Sequence, residues 1–331
     1  IKMRKLFTIL GVLSLTATLF ANGAQEGGNM ASKVVANYPD KPITITMPAA
    51  AGGGTDLLTR AMLGSLKDTL GQTVTVVNKT GGGYAIGYTA AKNDKPDGYN
   101  IVSIMAELLS SPVLSQVSYT YKDFDMICLV NSAYGTISVR ADAPYNTLQE
   151  FIDYCKAHPG QVQFGNSGMG GLWHFVAANF AARAGIEIAH VPFDGGGPAV
   201  TALAGGHVDA VTMTDAEVLP QVKAGRVKIL CTLSPERLAS LPDVPTAAEC
   251  GVEDAVITVI RGFGAPKGTP QEIIDKLADA FKKALDSPEV TEFMKNQSYV
   301  KDYRSGKELY ALCEKEAAMY EDLAVKLGLK K

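Results

Sequence analysis

The chain has 331 residues, of which 47% are hydrophobic and 20% charged, and its formal net charge is −3. This balance is typical of a globular protein with a sizeable core, and the length allows two domains of ordinary size. The acidic balance argues against nucleic acid as a partner, since nucleic-acid binding needs a basic surface. The sequence also has no cluster of lysine and arginine interleaved with aromatic residues.

The first 24 residues have the three-part layout of a secretory signal peptide. Met3 precedes two basic residues, an apolar run spans residues 6–20, and small residues follow up to Ala24. The run is short for a membrane span and no second long apolar run follows, which disfavours a membrane anchor. We therefore predict that residues 1–24 are cleaved on secretion to the periplasm and that residues 25–36 form a flexible leader.

A strand, a glycine loop and a helix follow one another at the start of the folded part. Ile43, Ile45 and Met47 alternate with threonines, which is the pattern of a strand. Glycines at 52–54 then lead into residues 57–70, where apolar side chains repeat at helical spacing. Glycine lets the backbone approach a ligand closely, and the first helical turn has unpaired N–H groups. Such a unit is suited to binding an anion.

The same arrangement recurs three times. Glycine-rich loops occupy residues 81–83, 165–171 and 195–197, and the last two precede predicted helices. A single glycine loop usually makes only a tight turn. Four loops of one kind indicate one shared site.

Alternating strands and helices predict an α/β fold with largely parallel sheets. Two apolar stretches, 126–139 and 255–263, are long enough to pass from one lobe to another. We predict a first lobe of residues 37–135 and 262–331 and a second of residues 136–261, joined by these two crossing segments. Ligands bind outside the carboxyl ends of parallel strands, where the four loops lie, so the pattern predicts a hinged receptor that closes over a small molecule.

The last part of the chain is predicted to be helical. Thr269 with Glu272, and Ser305 with Glu308, match the capping-box pattern of a helix start. The apolar residues that follow each pair repeat at helical spacing, which predicts helices packed on a core.

Cysteines and histidines give no metal or disulfide pattern. The five cysteines are widely scattered and odd in number, which leaves at most a single bridge open, and no CxxC occurs. The four histidines stand too far apart for a compact local metal motif. We expect neither a metal nor a cofactor.

Short motifs in a specific order connect the folded part to a known family. The motifs are Tyr38-Pro39-Asp40-Lys41-Pro42-Ile43, Gly52-Gly53 with Asp56, Asn78-Lys79 with Gly81, Pro96-Asp97-Gly98-Tyr99, Asp123-Phe124, Ser167-Gly168 with Gly170 and His174, His190-Val191-Pro192-Phe193, Gly197-Pro198, Leu241-Pro242-Asp243-Val244-Pro245-Thr246 with Glu249 and Gly251, and Ala265-Pro266-Lys267-Gly268-Thr269-Pro270. With these motifs, the chain from about residue 38 onward resembles the extracytoplasmic solute-binding receptors of tripartite tricarboxylate transporters, the Bug family.

The resemblance implies a type II periplasmic-binding-protein fold, the two-lobed Venus flytrap. It implies a small mono-, di- or tricarboxylate ligand gripped mainly by loop backbones, and delivery to membrane-embedded subunits of an ion-driven carrier. We also expect a monomer. The chain departs from the family pattern at Ala49, Ala51, Thr80, Tyr84 and Gly171, so the resemblance does not identify the carboxylate.

The predicted ligand-binding residues come from the four loops and their neighbours. They are Ala51, Gly52, Gly53, Thr55, Thr80, Gly81, Gly82, Tyr84, Ala85, Asn166, Ser167, Gly168, Gly170, Gly171, His174, Phe193, Gly196, Gly197, Thr214 and Asp215. The loops contain no arginine or lysine, so we expect backbone N–H groups, Asn166 and Ser167 to hold the carboxylate, with ordered water filling gaps. For His174, a packed structural role and a ligand-donor role both stay open.

Two further residues near the first loop have structural explanations. Asp56 is expected to cap the loop, because a carboxylate there would repel an anionic ligand. Arg60 is expected to pair with an acid within its own lobe.

Three other functions compete with transport. For a hydrolase, residues 165–169 lack the last glycine of a nucleophile elbow, although His174 and Asp215 are conceivable partners of Ser167. For nucleotide binding, the first loop has neither GxGxxG nor GxxxxGK[ST]. A ligand-sensing receptor of a signalling system would use the same closure, and the sequence does not separate it from transport. We predict a transport receptor and no catalysis.

Overall fold

The computed structural model describes residues 37–114, 116–168, 171–193, 195–297, 299–326 and 328–330. The predicted signal peptide, the predicted leader and Gly170 lie outside the described residues. The chain divides into a short unit up to Asp40 and a compact unit, Lys41–Lys331, that contains every strand and helix named below. None of the described helices has the length and apolar character needed to cross a membrane.

The described residues form eleven strands and ten helices. The strands are β1 (Ile43–Met47), β2 (Val74–Asn78), β3 (Asn100–Met105), β4 (Phe124–Tyr134), β5 (Thr136–Arg140), β6 (Gln163–Asn166), β7 (Ala189–Pro192), β8 (Ala210–Val211), β9 (Val227–Thr232), β10 (Thr258–Pro266) and β11 (Val300–Ser305). The helices are α1 (Gly54–Leu70), α2 (Ala85–Lys92), α3 (Glu107–Leu114), α4 (Leu148–Ala157), α5 (Leu172–Ala184), α6 (Gly196–Ala204), α7 (Asp215–Lys223), α8 (Gln271–Leu285), α9 (Pro288–Asn296) and α10 (Gly306–Lys326).

Two sheets organise these elements. The first sheet has the order β11-β4-β10-β3-β1-β2, and the second has the order β7-β6-β8-β5-β9. The chain leaves the first sheet between β4 and β5 and returns to it between β9 and β10, so two segments cross from one sheet to the other. This arrangement confirms the predicted two-lobed α/β class. The predicted lobe boundaries stay a prediction.

The prediction of largely parallel sheets is wrong. β10 lies between β3 and β4 and runs antiparallel to both, and β5 runs antiparallel to β8 and β9. The reason is the double crossing. β4 carries the chain towards the second sheet and β10 brings it back, so these two neighbouring strands run in opposite directions. Both sheets are therefore mixed.

Parallel pairing still brings the first two glycine loops together. β1 pairs in parallel with β2 on one side and β3 on the other, with Ile45 opposite Val76 and Ile101. The carboxyl ends of all three strands therefore lie at one edge of the sheet. Ile45 and Met47 are fully buried, and α1 packs against α8.

One of the two predicted capping boxes is present. Ser305 N–H donates to Glu308 Oε2 at 2.8 Å, and Glu308 N–H donates to Ser305 Oγ at 3.4 Å, at the start of α10. The box at Thr269 is wrong, because the Thr269 hydroxyl donates to the Pro266 carbonyl at 2.8 Å, and α8 begins after Pro270. The hydroxyl is tied back to the end of β10 and does not cap the helix.

All five cysteines are free thiols, and four of them are buried.

Candidate functional site

One cavity of about 780 Å³ lies where loops from both sheets meet. Its walls come from the loops after β1, β2, β6 and β7, the starts of α3, α5 and α6, and parts of α7 and β10. The predicted site residues that line it are Ala51, Gly52, Gly53, Thr55, Thr80, Gly81, Gly82, Tyr84, Ser167, Gly168, Phe193, Gly196 and Gly197. All four predicted glycine loops thus contribute to one space.

Asp56 holds the first loop in shape. Its carboxylate accepts hydrogen bonds from Gly52 N–H at 2.9 Å, Arg60 Nε at 2.8 Å and Asn78 Nδ2 at 3.0 Å. Burial would raise the pKa of Asp56, yet the hydrogen bonds from Arg60, Gly52 and Asn78 outweigh burial and lower it. Asp56 caps the loop and Arg60 pairs with it, as predicted.

Replacing Asp56 with alanine should lower the free energy of unfolding by about 2 kcal/mol, because three donors lose a buried, charged acceptor. The lowered pKa gives the sign of the pH dependence. The stabilisation is present above the ordinary value of 3.8 and is lost as the pH falls through the folded-state value, so the mutational effect should shrink in acid. Urea unfolding at neutral and acidic pH measures the loss of stability and its pH dependence.

Asp68→Ala removes an exposed carboxylate from the same helix and is the control. An equal loss of stability in both variants would contradict the role of Asp56 in holding the loop.

The second loop presents a tyrosine in a strained conformation. Gly81, Gly82 and Gly83 all have positive φ, and Tyr84, the residue before α2, has φ 75°. A non-glycine residue in the left-handed region costs about 1 kcal/mol or more, and such residues cluster at functional sites. The Tyr84 side chain lines the cavity beside Glu107, whose negative charge, together with burial, raises the pKa of the phenol well above its ordinary value.

The loop after β6 carries buried polar groups that lack regular hydrogen bonds. Asn166 is fully buried; its Oδ1 accepts from Gly168 N–H at 3.2 Å, and its Nδ2 has no hydrogen-bond partner. Ser167 Oγ is buried, makes no hydrogen bond of regular geometry and lies near the Tyr84 phenol, while Ser167 and Gly168 line the cavity. Buried polar groups are normally satisfied, so groups of this kind beside a cavity indicate a polar ligand or bound water.

Arg261 joins the start of α1 to the first sheet. Its guanidinium donates to Asn131 Oδ1 at 2.5 Å and to Thr55 Oγ1 at 3.3 Å, and it lies over the Tyr299 ring at 5.1 Å. The Tyr299 hydroxyl donates to the Gly54 carbonyl at 2.9 Å. Arg261 is 5% exposed, and it lines the cavity with hydrogen bonds already made to protein atoms.

Thr214 and Asp215 border a separate small cavity. It measures about 10 Å³, room for roughly one water molecule, and Arg261 and Tyr299 also line it. Thr214 Oγ1 donates to Glu217 Oε2 at 2.7 Å, and Asp215 Oδ2 accepts from Ser240 Oγ at 2.5 Å. Burial raises the pKa of Asp215, although the Ser240 hydrogen bond opposes that rise.

Besides the buried Asn166, Thr214 and Asp215, three more predicted residues lie outside the lining of the large cavity. Ala85 is the first residue of α2, and Gly171 is the residue before α5, where its N–H donates to Gly168 O at 3.2 Å. His174 lies within α5 with its ring 4.4 Å from that of His190, and burial lowers its pKa to about 4.

Several lining residues were not predicted, among them Glu107, Glu217, Trp173 and Arg261. Glu107 is the first residue of α3, a helix that the sequence reasoning missed, and an acid shortly after a buried strand is a recognisable helix-start signal. Glu217 completes a capping box with Thr214, which also has a sequence signature. Arg261 lies inside a strand and has no local signal. Among the described residues, no group of histidine, cysteine or acidic side chains is placed to hold a metal.

Two lobes that enclose a cavity lined by glycine loops define a solute-binding receptor. The chain belongs to the family described as the tripartite tricarboxylate transporter family receptor, which it matches over residues 58–329. This membership confirms the predicted resemblance. Members of this family are periplasmic receptors that serve carboxylate transporters.

Similar proteins agree with this assignment. BugT of Bordetella pertussis is 32% identical over 294 residues, which are 88% of this chain and 87% of BugT. The structure of the periplasmic binding protein BugD is 32% identical with a TM-score of 0.81, covering 89% of this chain and 100% of BugD. The structure of MatC from Rhodopseudomonas palustris, solved with bound malate, is 27% identical with a TM-score of 0.81, covering 86% of this chain and 99% of MatC.

Proposed function

We propose that this protein captures a small carboxylate between its two lobes in the periplasm and delivers it to an ion-driven carrier in the membrane. The observation that carries the proposal is the cavity of about 780 Å³ that glycine loops of both sheets line together. The relative MatC, solved with bound malate, supports a carboxylate as the ligand class. The proposed lobes are residues 37–135 with 262–331, and residues 136–261.

Backbone N–H groups are the proposed anion donors. Gly53 and Gly195, the residues before α1 and α6, both line the cavity, whereas at α2 the N–H groups of Ala85 and Ile86 already donate to the Gly82 and Gly81 carbonyls. The first-turn N–H groups of a helix have no intrahelical partner, and the helix dipole favours negative charge there. The buried hydroxyl of Ser167, which makes no regular hydrogen bond, adds a donor from the opposite sheet. The buried Asn166 stabilises this loop, because its Oδ1 accepts a hydrogen bond from Gly168 N–H.

Binding without catalysis fits the same geometry. Ser167 Oγ lies near the Tyr84 phenol, whose pKa is raised well above its ordinary value, so the phenol is not a base at neutral pH. Asp215 accepts a hydrogen bond from Ser240. The His174 ring packs against His190, where burial lowers its pKa to about 4. We propose a monomeric receptor whose first 24 residues direct export.

A thermal-shift screen of organic acids, amino acids and neutral sugars tests the proposal. A carboxylate at 100 times its dissociation constant should stabilise the folded protein by about 2.7 kcal/mol. Proton NMR of the same mixtures shows whether any compound is converted. Stabilisation by neutral sugars alone, or turnover of a candidate, would contradict the proposed function.

A further inference from the structure

The charges in the large cavity are unusual for a site that takes a plain anion. Its charged lining residues, among those that the structure describes, are Glu107, Glu217 and Arg261. Binding sites present charge complementary to their ligands, because like charges at close range cost several kcal/mol. Among these side chains carboxylates outnumber the guanidinium, so they favour a ligand that carries a positive group as well as its carboxylate.

The charge of Arg261 is already shared among protein groups. The guanidinium donates to Asn131 and Thr55 and lies over the Tyr299 ring. It also faces the buried Asp215, where its charge opposes the rise in pKa that burial causes. Arg261 therefore does not neutralise both glutamates of the cavity.

Glu107 approaches the cavity from the first sheet. It follows β3 as the first residue of α3 and is 8% exposed. Burial raises its pKa and the charge of Glu217 raises it further, while its own N–H, the Tyr84 hydroxyl and Arg261 act in the opposite direction. None of the ion pairs among the described residues includes Glu107 or Glu217.

Glu217 approaches from the second lobe and is held in place. Its Oε2 accepts from the N–H and the hydroxyl of Thr214 at 3.2 and 2.7 Å. Its Oε1 lies against Gly196, where any Cβ would collide with it. The glycine at the start of α6 therefore makes room for this carboxylate at the cavity wall.

We infer that Glu107 and Glu217 select a carboxylate that also carries a protonated amine, as an amino acid does. The inference rests on the proposed function, because the glycine loops would hold the ligand carboxylate while the glutamates receive its ammonium group. An ammonium supplies three donors and a positive charge, which matches two acceptor side chains that line one cavity, from the start of α3 and from α7. Ser167 lines the same cavity, and its buried hydroxyl, which makes no regular hydrogen bond, is a second polar group that a bound ligand would satisfy.

Matched ligand pairs that differ only by the amine test the inference. The pairs are L-aspartate and succinate, L-glutamate and glutarate, L-leucine and 4-methylpentanoate, and L-phenylalanine and 3-phenylpropionate. Isothermal titration calorimetry should show the wild type binding the amino member of at least one pair at least tenfold more tightly. Glu107→Gln keeps the shape and removes the charge, and it should reduce that preference at least tenfold while leaving the plain acid unchanged or tighter.

Two further variants complete the experiment. Glu217→Gln keeps an acceptor for Thr214 and should also weaken the preference, which provides a test if Glu107→Gln does not fold. Glu253→Gln, at an exposed position, should bind like the wild type. Equal or tighter binding of the plain acids, or an unchanged preference in both cavity variants, would overturn the inference and leave the proposed function standing. Binding of no compound in any pair would overturn both.

Discussion

Replacing Gly53 with valine should weaken carboxylate binding by at least 100-fold while leaving the protein folded. Gly53 precedes α1 and lines the cavity, so its new side chain would project where we propose that the ligand meets the first-turn N–H groups. Displacing a carboxylate from such donors removes hydrogen bonds to a charged group, which are worth about 1.5–3 kcal/mol each. A loss of about 3 kcal/mol corresponds to the expected change in affinity.

The fold should tolerate this substitution. Gly53 has φ −74° and ψ 163°, an extended conformation open to valine, and a Cβ there meets only the Ala50 carbonyl oxygen, at 3.6 Å. Calorimetry with the best ligand from the screen measures affinity, and thermal unfolding measures stability. Gly64→Val places the same side chain on an exposed position of α1, away from the cavity, and should keep wild-type affinity. Wild-type affinity in Gly53→Val would show that the start of α1 does not hold the ligand.

The glycine loops were predictable because their signals are local. Ile43, Ile45 and Met47 alternate with threonine, glycines follow, and helical spacing begins within a few residues, so strand, loop and helix are all encoded in one short stretch. Asp56 was predictable for the same reason, since its partners Gly52 and Arg60 lie one turn away. Patterns confined to one short stretch therefore predict which loops present backbone N–H donors.

The charged residues of the cavity depend on distant parts of the chain. Glu107 follows β3 without a visible change of period, because buried apolar residues continue from Ile101 through Leu109 on both sides of it. Arg261 reaches the cavity only because β10 inserts between β3 and β4, and strand order is not written in a local pattern. The sequence therefore indicated an anion site made of amides. Glu107 and Glu217 have local helix-start signals, but only the folded structure shows that they line the same cavity.

Replacing Arg261 with methionine should lower the free energy of unfolding by about 3 kcal/mol. The substitution leaves the Oδ1 of the buried Asn131 without its donor, whose loss costs about 1–3 kcal/mol, and it also removes the contacts to Thr55 and Tyr299. The Asn131 amide cannot turn over to find another partner for Oδ1, because its Nδ2 already donates to the Ser132 and Val300 carbonyls. Arg261→Lys keeps the charge but not the planar fork, so it should lose part of the same stability.

Urea unfolding and calorimetry of the same proteins separate a structural role of Arg261 from ligand binding. Arg226→Met removes an exposed arginine and should change stability by less than about 0.5 kcal/mol, as surface substitutions usually do. We expect Arg261→Met to lose stability because its hydrogen bonds link β10 to β4 and to the start of α1. If Arg261→Met kept wild-type stability and lost carboxylate binding, the guanidinium would be the anion donor. The backbone N–H groups of the glycine loops would then have only a secondary part in recognition.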